Sequence, residues 1–298
     1  MFGFWKRSRK KAERLDDTRP PQTAAYQVVA SLLSDVGCVR ELNEDSGVFH
    51  QPDDPQTLAD KGMLFLVCDG MGGHSGGEVA SGLAVKVIGQ AYYESDGGPI
   101  EALEKAFRKA NKAIFDVARK NGGLQGMGTT GTALVLHNGR AIAAHVGDSR
   151  LYLVRDGQIY LMTQDHSAVM EMVKQGILSL DEARHHPDKN VILRALGSHE
   201  EVEVSVWDEP FPVREGDRFL LCSDGLYDLV QDEEIRQIVR ASAPEVACAN
   251  LVSLAKQRGG HDNVTVIVIC LKPAVGEADR EIPETREVGP PKTRTLEY

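Results

Sequence analysis

The chain has 298 residues, 42% of them hydrophobic, which suffices for one large domain or two of average size with a substantial core. Its 34 basic against 44 acidic residues leave a net charge of −10; this excludes broad attraction to nucleic acid, so an anionic substrate needs arginine or bound metal to receive it. No apolar run approaches the roughly 20 residues of a membrane span, and Cys38, Cys68, Cys222, Cys248 and Cys270 form no C-x-x-C pair, as expected of reduced thiols in a cytoplasmic protein.

Residues 1–23 make a basic tail in which Phe2, Phe4 and Trp5 precede Lys6, Arg7, Arg9, Lys10, Lys11 and Arg14. Such a segment is expected to be solvated and disordered, with weak contact to an anionic membrane surface as its other use. Residues 273–298 are rich in Glu, Pro, Arg and Thr without an apolar period and read as a second disordered tail. Between them, no linker and no repeat of fixed period interrupts 24–272, which is expected to be one domain.

Apolar, partly β-branched runs predict strands over 26–33 and 46–50, joined by a polar loop that carries Asp35, Arg40, Asn43, Glu44 and Asp45. The stretch 51–62, with Pro52 and Pro55, reads as a surface loop. MLFLVC over 63–68 is short enough for a fully buried strand, and it stops at Asp69. A carboxylate at the last rung of such a strand marks where the sheet meets something polar or cationic. Gly70, Gly72, Gly73, Gly76 and Gly77 then allow close backbone approach.

Three- and four-residue apolar spacing predicts amphipathic helices over 78–93 and 100–119. Strands over 132–137, 141–146, 151–155 and 158–162 follow as an antiparallel meander, with hairpin turns at Asn138-Gly139 and Asp156-Gly157. A mixed helical insert over 168–186, strands over 202–206 and 218–222, helices over 232–240 and 244–258, and a final strand over 264–271 complete the chain. Strand runs separated by helix pairs point to an α+β fold with strands in the core and helices outside.

Acidic residues recur at comparable punctuation. Asp69 and Asp224 end apolar strands, Asp148 follows one, Asp262 precedes one, and Glu44-Asp45 opens another. If these ends meet, the result is an all-oxygen site suited to Mg²⁺ or Mn²⁺. No H-E-x-x-H and no Cys/His grouping offers a zinc alternative. The G-x-G-x-x-G pattern from Gly126 to Gly131 opens a strand rather than a helix, which argues against a dinucleotide loop. A P-loop motif is absent, and Ser75, Ser149 and Ser223 lack the elbow sequence of a serine nucleophile.

Six motifs in order, R-x-x-N-E-D from Arg40, V-C-D-G-M-G-G-H from Val67, G-M-G-T-T from Gly126, V-G-D-S-R from Val146, C-S-D-G-L from Cys222 and D-N-V-T from Asp262, carry a resemblance. Together the chain resembles the metal-dependent PPM serine/threonine phosphatases, the 2C type, in their bacterial form. The resemblance implies the PPM fold: a central antiparallel β-sandwich flanked by helix pairs in α-β-β-α layers, with two metal ions bridged by a hydroxide at one end. Asp69 would bridge both ions. Asp45 would hold the first through water, with the Gly70 carbonyl as a direct ligand, and Asp224 and Asp262 would complete the second. Asp148 and Asp224 would help hold a weaker third ion, Arg40 would clamp the substrate phosphate, and Glu44 and Asn263 would support the site.

The implied activity is hydrolysis of phosphoserine and phosphothreonine in proteins by a monomer that opposes a serine/threonine kinase. A catalytically silent phosphoprotein-binding module and a small phosphate-ester hydrolase are the competing expectations. Two departures from the family pattern stand out. Met71 replaces the histidine often assigned as general acid, which leaves His74 or a water on the third ion for that role, and His261 stands where proline usually precedes Asp-Asn. The insert over 166–196 resembles the flap of bacterial members; its Arg184, His185, His186 and Arg194 are open to two readings, substrate contact or solvated surface.

Overall fold

A computed structural model describes residues 26–72 and 76–273. The tail expected over 1–23, all but Pro273 of that expected over 273–298, and His74 lie outside the described residues.

The chain runs through β1 (Tyr26–Asp35), β2 (Ser46–His50), α1 (Pro55–Lys61), β3 (Met63–Cys68), β4 (Gly70–Met71), α2 (Gly76–Glu94) and α3 (Pro99–Lys120). It continues with β5 (Gly128–Thr129), β6 (Gly131–His137), β7 (Arg140–Val146), β8 (Arg150–Arg155), β9 (Gln158–Leu161), α4 (Ala168–Lys174) and α5 (Leu180–Arg184). It ends with β10 (Ser205–Val206), β11 (Phe211–Pro212), β12 (Arg218–Cys222), α6 (Asp224–Tyr227), α7 (Asp232–Ala241), α8 (Pro244–Gln257) and β13 (Val264–Pro273).

Two antiparallel sheets dominate. One has the order β1-β13-β12-β8-β9; the other has β10-β7-β6-β3-β2, with β11 also on β7. In the first, β1 and β13 pair along their whole lengths, Tyr26 opposite Pro273 and Asp35 opposite Val264. Side chains alternate across each strand, so β3 sends Phe65 and Val67 toward the facing sheet and Leu64, Leu66 and Cys68 toward the helices.

Three apolar layers follow from that alternation. Between the sheets, Phe65, Leu134, Leu153, Phe219, Leu221 and Ile267 pack together. Outside β3, β6 and β7, α2 contributes Ala80, Ala84, Ile88 and Tyr92 at four-residue spacing, and α3 contributes Leu103, Phe107, Ala110 and Ile114. Outside β8, β12 and β13, α7 and α8 contribute Ile235, Val239, Leu251 and Ala255. The four layers are therefore helix, sheet, sheet, helix. Truncating a fully buried ring such as Phe65 to Ala is worth about 3–5 kcal/mol in such a core.

The expected hairpins form with the left-handed residues that such turns need: Asn138 at φ 48° before Gly139 at 73°, and Asp156 at 51° before Gly157 at 75°. Three expectations are corrected. The stretch 51–62 is not all loop, because Pro55 occupies the first turn of α1 and the Asp54 side chain accepts the Thr57 N–H. The strand expected over 202–206 pairs only at Ser205 and Val206, while Val202 and Val204 pack toward the α2–α3 layer. The helical insert is two short helices, α4 and α5, and Gly176 between them takes φ 74°.

Candidate metal centre

Strand register gathers the acidic residues at one end of the sandwich. Asp35 lies opposite Val264, Cys222 opposite both Val266 and Arg150, Ser46 opposite Cys68, and Gly131 opposite Val146. The residues just beyond those rungs are Asp262, Asp224, Asp148, Asp45 and Asp69. Each strand obeys its own apolar pattern, and the antiparallel pairing makes the five chain reversals coincide.

Asp45, Asp148 and the backbone around them are buried. Burial pushes the Asp69 carboxyl well above its ordinary range, and the charges of Asp45, Asp224, Asp148 and Asp262 push it further. Asp224 is raised in the same way, by burial first and then by Asp148, Asp262, Asp228 and Asp45. Asp45 rises to about 6 and Asp148 to about 7, burial again leading. Four carboxylates raised by burial and by the charges of nearby acids, the cluster's own or Asp165, Asp228 and Asp262, call for a compensating cation or for protons.

Neutral donors hold the framework. The Ser223 hydroxyl donates to Asp45 Oδ2 at 2.7 Å and accepts from the Thr265 N–H at 3.0 Å. The Asp69 N–H donates to Thr130 Oγ1 at 2.8 Å, and the Asp69 carbonyl accepts from Thr129 Oγ1 and from the Thr130 N–H. Asn263 accepts the Glu44 N–H at 2.8 Å and donates to the carbonyls of Val36 and Leu42, so it laces the β1–β2 loop to β13. Glu44 accepts the Gly77 N–H at 3.1 Å, and the Glu44 carbonyl accepts the Gly70 N–H. A β-carbon on Gly70 would stand 2.2 Å from the Gly77 carbonyl oxygen, so this close approach requires glycine.

Arg40 lies at the mouth of the cluster, half-exposed, with Nη2 2.8 Å from Asp262 Oδ2. The sequence assigns Ser223, Thr129, Thr130 and Ser149 no role as partners of the acids, although each stands beside a motif acid or within a motif. A hydroxyl gives no periodic signal, and its partners lie far away in sequence.

The residues present suit Mg²⁺ or Mn²⁺. The donor set is all oxygen, and Asp148 Oδ1 is a buried acceptor without a hydrogen-bond partner. Among the described residues, no three His, Cys, Asp or Glu side chains close around one point as a complete ligand set would. For these ions that is no obstacle, because one or two carboxylates with carbonyls and waters fill an octahedral shell.

The insert leans on the same end. Arg184 pairs with Asp232 at 2.8 Å and donates to Gln231, Lys189 pairs with Asp228, and Arg194 pairs with Glu203 at 2.8 Å. His185 Nδ1 lies 3.0 Å from the Asp181 carbonyl, and His186 Nδ1 accepts the Asp188 N–H. These side chains thus make contacts within the protein. A cavity of about 540 Å³ lies at the base of the insert, walled by His145, His166, Arg194 and Trp207; none of the cluster's carboxylates lines it.

The protein phosphatase 2C family model matches residues 51–257, more than half of the chain. The chain belongs to the protein phosphatase 2C family. With that family and with serine/threonine phosphatases among its relatives, it is an enzyme, a protein phosphatase acting on phosphoproteins. The serine/threonine phosphatase stp of Listeria innocua is 37% identical over 246 residues, covering 80% of this chain and 94% of the relative. The crystal structure of the Mycobacterium tuberculosis serine/threonine phosphatase PstP superposes with a TM-score of 0.74 at 37% identity, over 83% of this chain and 100% of that one. The PstP catalytic domain in complex with two manganese ions gives a TM-score of 0.70 at 36% identity, over the same shares. The α+β sandwich of this 2C-type phosphatase is thus the PPM fold of its structural neighbours.

Proposed function

We propose that this phosphatase would hold two divalent ions at the carboxylate end of its sandwich, with Asp69, Asp45 and the Gly70 carbonyl as the residues that would hold the first and Asp69, Asp224 and Asp262 those that would hold the second. Asp148 and Asp224 form a weaker third position, and Glu44 and Asn263 brace the loop. The ions are Mg²⁺ or Mn²⁺. One observation carries the reading: strand pairing brings Asp45, Asp69, Asp148, Asp224 and Asp262 to one end of the sandwich, where burial raises four of their carboxyls. When bound, two such ions make water nucleophilic near neutral pH and offset charge growing on the phosphoryl oxygens.

The chain's own groups do the rest. Arg40 receives the phosphate, its planar fork matching two phosphoryl oxygens. Ser223 and Thr130 keep Asp45 and Asp69 in place through the bonds described above. The leaving alkoxide takes its proton from His74 or from water at the Asp148–Asp224 position. The substrates are phosphoserine and phosphothreonine in proteins, among them a serine/threonine kinase and its targets. We read 24–272 as one domain with 166–196 as its flap, acting as a cytoplasmic monomer; its net charge of −10 disfavours nucleic acid. No described helix is long and apolar enough to cross a membrane.

A silent phosphoprotein-binding module has no need of five metal acids, and this chain keeps all five. A small-ester hydrolase is distinguished by the ratio of kcat/KM on phosphopeptides to that on small esters. The deciding experiment is turnover of a phosphopeptide with Mn²⁺ by Asp69→Asn and Asp224→Asn. Loss of activity in both is expected, and near-wild-type rates in either overturn the assignment.

A further inference from the structure

The segment Gly147–Arg150, which carries Asp148, is gripped on every side. The Tyr227 hydroxyl donates to the Asp148 carbonyl at 3.2 Å. The Ser149 hydroxyl lies 2.7 Å from that of Thr130, and the Ser149 carbonyl accepts from Thr132 Oγ1. Arg150 makes a buried, forked ion pair with Asp165, with Nη2 2.7 Å from Oδ2, and its guanidinium lies 3.6 Å above the Tyr227 ring. Asp148 Oδ1 is the buried side-chain atom of this stretch left without a partner. A carboxylate fixed through its backbone, with one buried oxygen left unpaired, has a free lone pair to offer a cation.

His166 supplies the tightest part of that grip. Its N–H donates to the Gly147 carbonyl at 2.7 Å, and its ring Nδ1 accepts the Gly147 N–H at 3.1 Å. Since Nδ1 is an acceptor, the ring proton sits on Nε2, 3.0 Å from Ser205 Oγ on β10. Both backbone polar groups of Gly147 are thus committed to one residue. Gly147 itself takes φ 106°, and a β-carbon there would stand 2.6 Å from Thr130. The conformation that delivers Asp148 is thus open to glycine and closed to any residue with a β-carbon.

His166 is also where the insert begins. Its carbonyl accepts the Leu193 N–H at 2.7 Å, and Ala168 donates to Val191, so the two ends of the insert are buttoned together beside Gly147. The far end then pairs with Thr129, whose hydroxyl donates to the Asp69 carbonyl. The base of the insert thus bonds to Gly147, the residue before Asp148, and to Thr129, which in turn bonds to Asp69.

We propose that His166 is a positioning residue: by holding both polar groups of Gly147 it fixes Asp148 and so sets affinity at the Asp148 metal position, through its own contact with Gly147 and not through the packing of the rest of the insert. The proposal rests on the reading of Asp148 as a metal ligand given above. Outer-sphere partners of this kind typically change metal affinity by about 10–100-fold when removed.

The test is Mn²⁺ binding to the full-length protein, followed by electron paramagnetic resonance of the free ion without substrate. Four single variants and one double variant separate the roles. Asp148→Asn identifies the binding step to which Asp148 contributes. His166→Leu keeps the bulk of the ring and removes the acceptor, and it is expected to weaken that same step by about tenfold or more. Combining it with Asp148→Asn should add little. His166→Asn restores an acceptor at the place of Nδ1 while losing the Ser205 contact, and it should bind Mn²⁺ as the wild type does. Val169→Ala, a truncation in the insert's own apolar cluster, loosens the insert without touching Gly147 and should leave the isotherm unchanged.

If Asp148→Asn alters no step, the ligand reading and this proposal fall together. If it does while His166→Leu binds as the wild type, the positioning role alone is overturned. Should the leucine variant not fold, the asparagine variant decides: a folded His166→Asn protein that lacks the Asp148 step overturns the proposal, and one that retains it supports it.

Discussion

The hydroxyl of Ser223 lies 2.7 Å from Asp45 Oδ2, and this hydrogen bond crosses from the end of β12 in one sheet to the start of β2 in the other. Both groups are buried, and Ser223 also accepts the Thr265 N–H. Ser223→Ala therefore leaves a carboxylate oxygen and an amide without partners, a loss of about 1–3 kcal/mol in stability. Denaturant unfolding should show it, and an unchanged midpoint would mean that water replaces the hydroxyl. The conservative Ser223→Thr is expected to retain most of that stability.

Stability in the presence of a chelator should fall as pH rises. Asp45 and Asp148 titrate at about 6 and about 7 in the folded protein, against an ordinary value of 3.8. Between those values the folded state binds more protons than the unfolded chain, so the slope of unfolding free energy with pH is negative. This contribution is complete below about pH 4 and lost by about pH 7. Saturating Mn²⁺ should flatten or reverse the trend, because the ion binds the deprotonated carboxylates. Thermal unfolding from pH 5 to pH 8, with EDTA and with Mn²⁺, checks both arms.

Asp69→Asn should separate stability from function. The carboxyl is opposed by burial and by four neighbouring acids, so a neutral side chain of the same shape relieves repulsion. The unfolding temperature in EDTA is expected to rise above wild type, while Mn²⁺-dependent turnover falls by about a hundredfold or more. A variant less stable than wild type in EDTA would show that the ionised carboxylate is held by the fold itself.

Arg40→Ala is expected to lower kcat/KM on a phosphopeptide by about 10–100-fold, the scale of a charge-assisted hydrogen bond lost from a phosphate. Arg40→Lys should recover part of this, since a point charge replaces the fork. Because Arg40 also pairs with Asp262 at 2.8 Å, Mn²⁺ affinity should be measured alongside. A change in affinity without a change in kcat/KM would reassign Arg40 from the phosphate to Asp262.

His74→Ala addresses the proton for the leaving group. If His74 supplies it, turnover falls and the alkaline limb of the pH profile shifts, with the larger loss for alkyl phosphates than for aryl phosphates, whose leaving groups need less protonation. An unchanged rate and profile assigns the proton to water.

What could be seen in the sequence divides along a physical line. β3 is legible over Met63–Cys68 because its burial on both faces writes a continuous apolar run, and the two Asx-Gly hairpins are legible because few residues adopt left-handed turns. The clustered acids stood out because each stands at the end of such a run. The donors that orient them did not: Ser223 meets Asp45, and His166 meets Gly147, only once the sheets have paired. The helix α1 was hidden by its prolines, although Asp54 ahead of Pro55 is a start signal in its own right. The strand over 202–206 proved shorter because an apolar run says that side chains are buried, not that the backbone finds a ladder partner.

The full-length pairing of β1 with β13 has a consequence for where the described chain begins and ends. Asp35 and Val264 close that ladder at the carboxylate end, and Tyr26 and Pro273 close it at the other, nine steps or about 30 Å away. The chain thus enters and leaves the sandwich side by side, on the side remote from the catalytic mouth. Tyr26 and Pro273 are therefore adjacent at the end of the sandwich opposite the carboxylates, so the two ends of the described chain leave the carboxylate mouth uncovered.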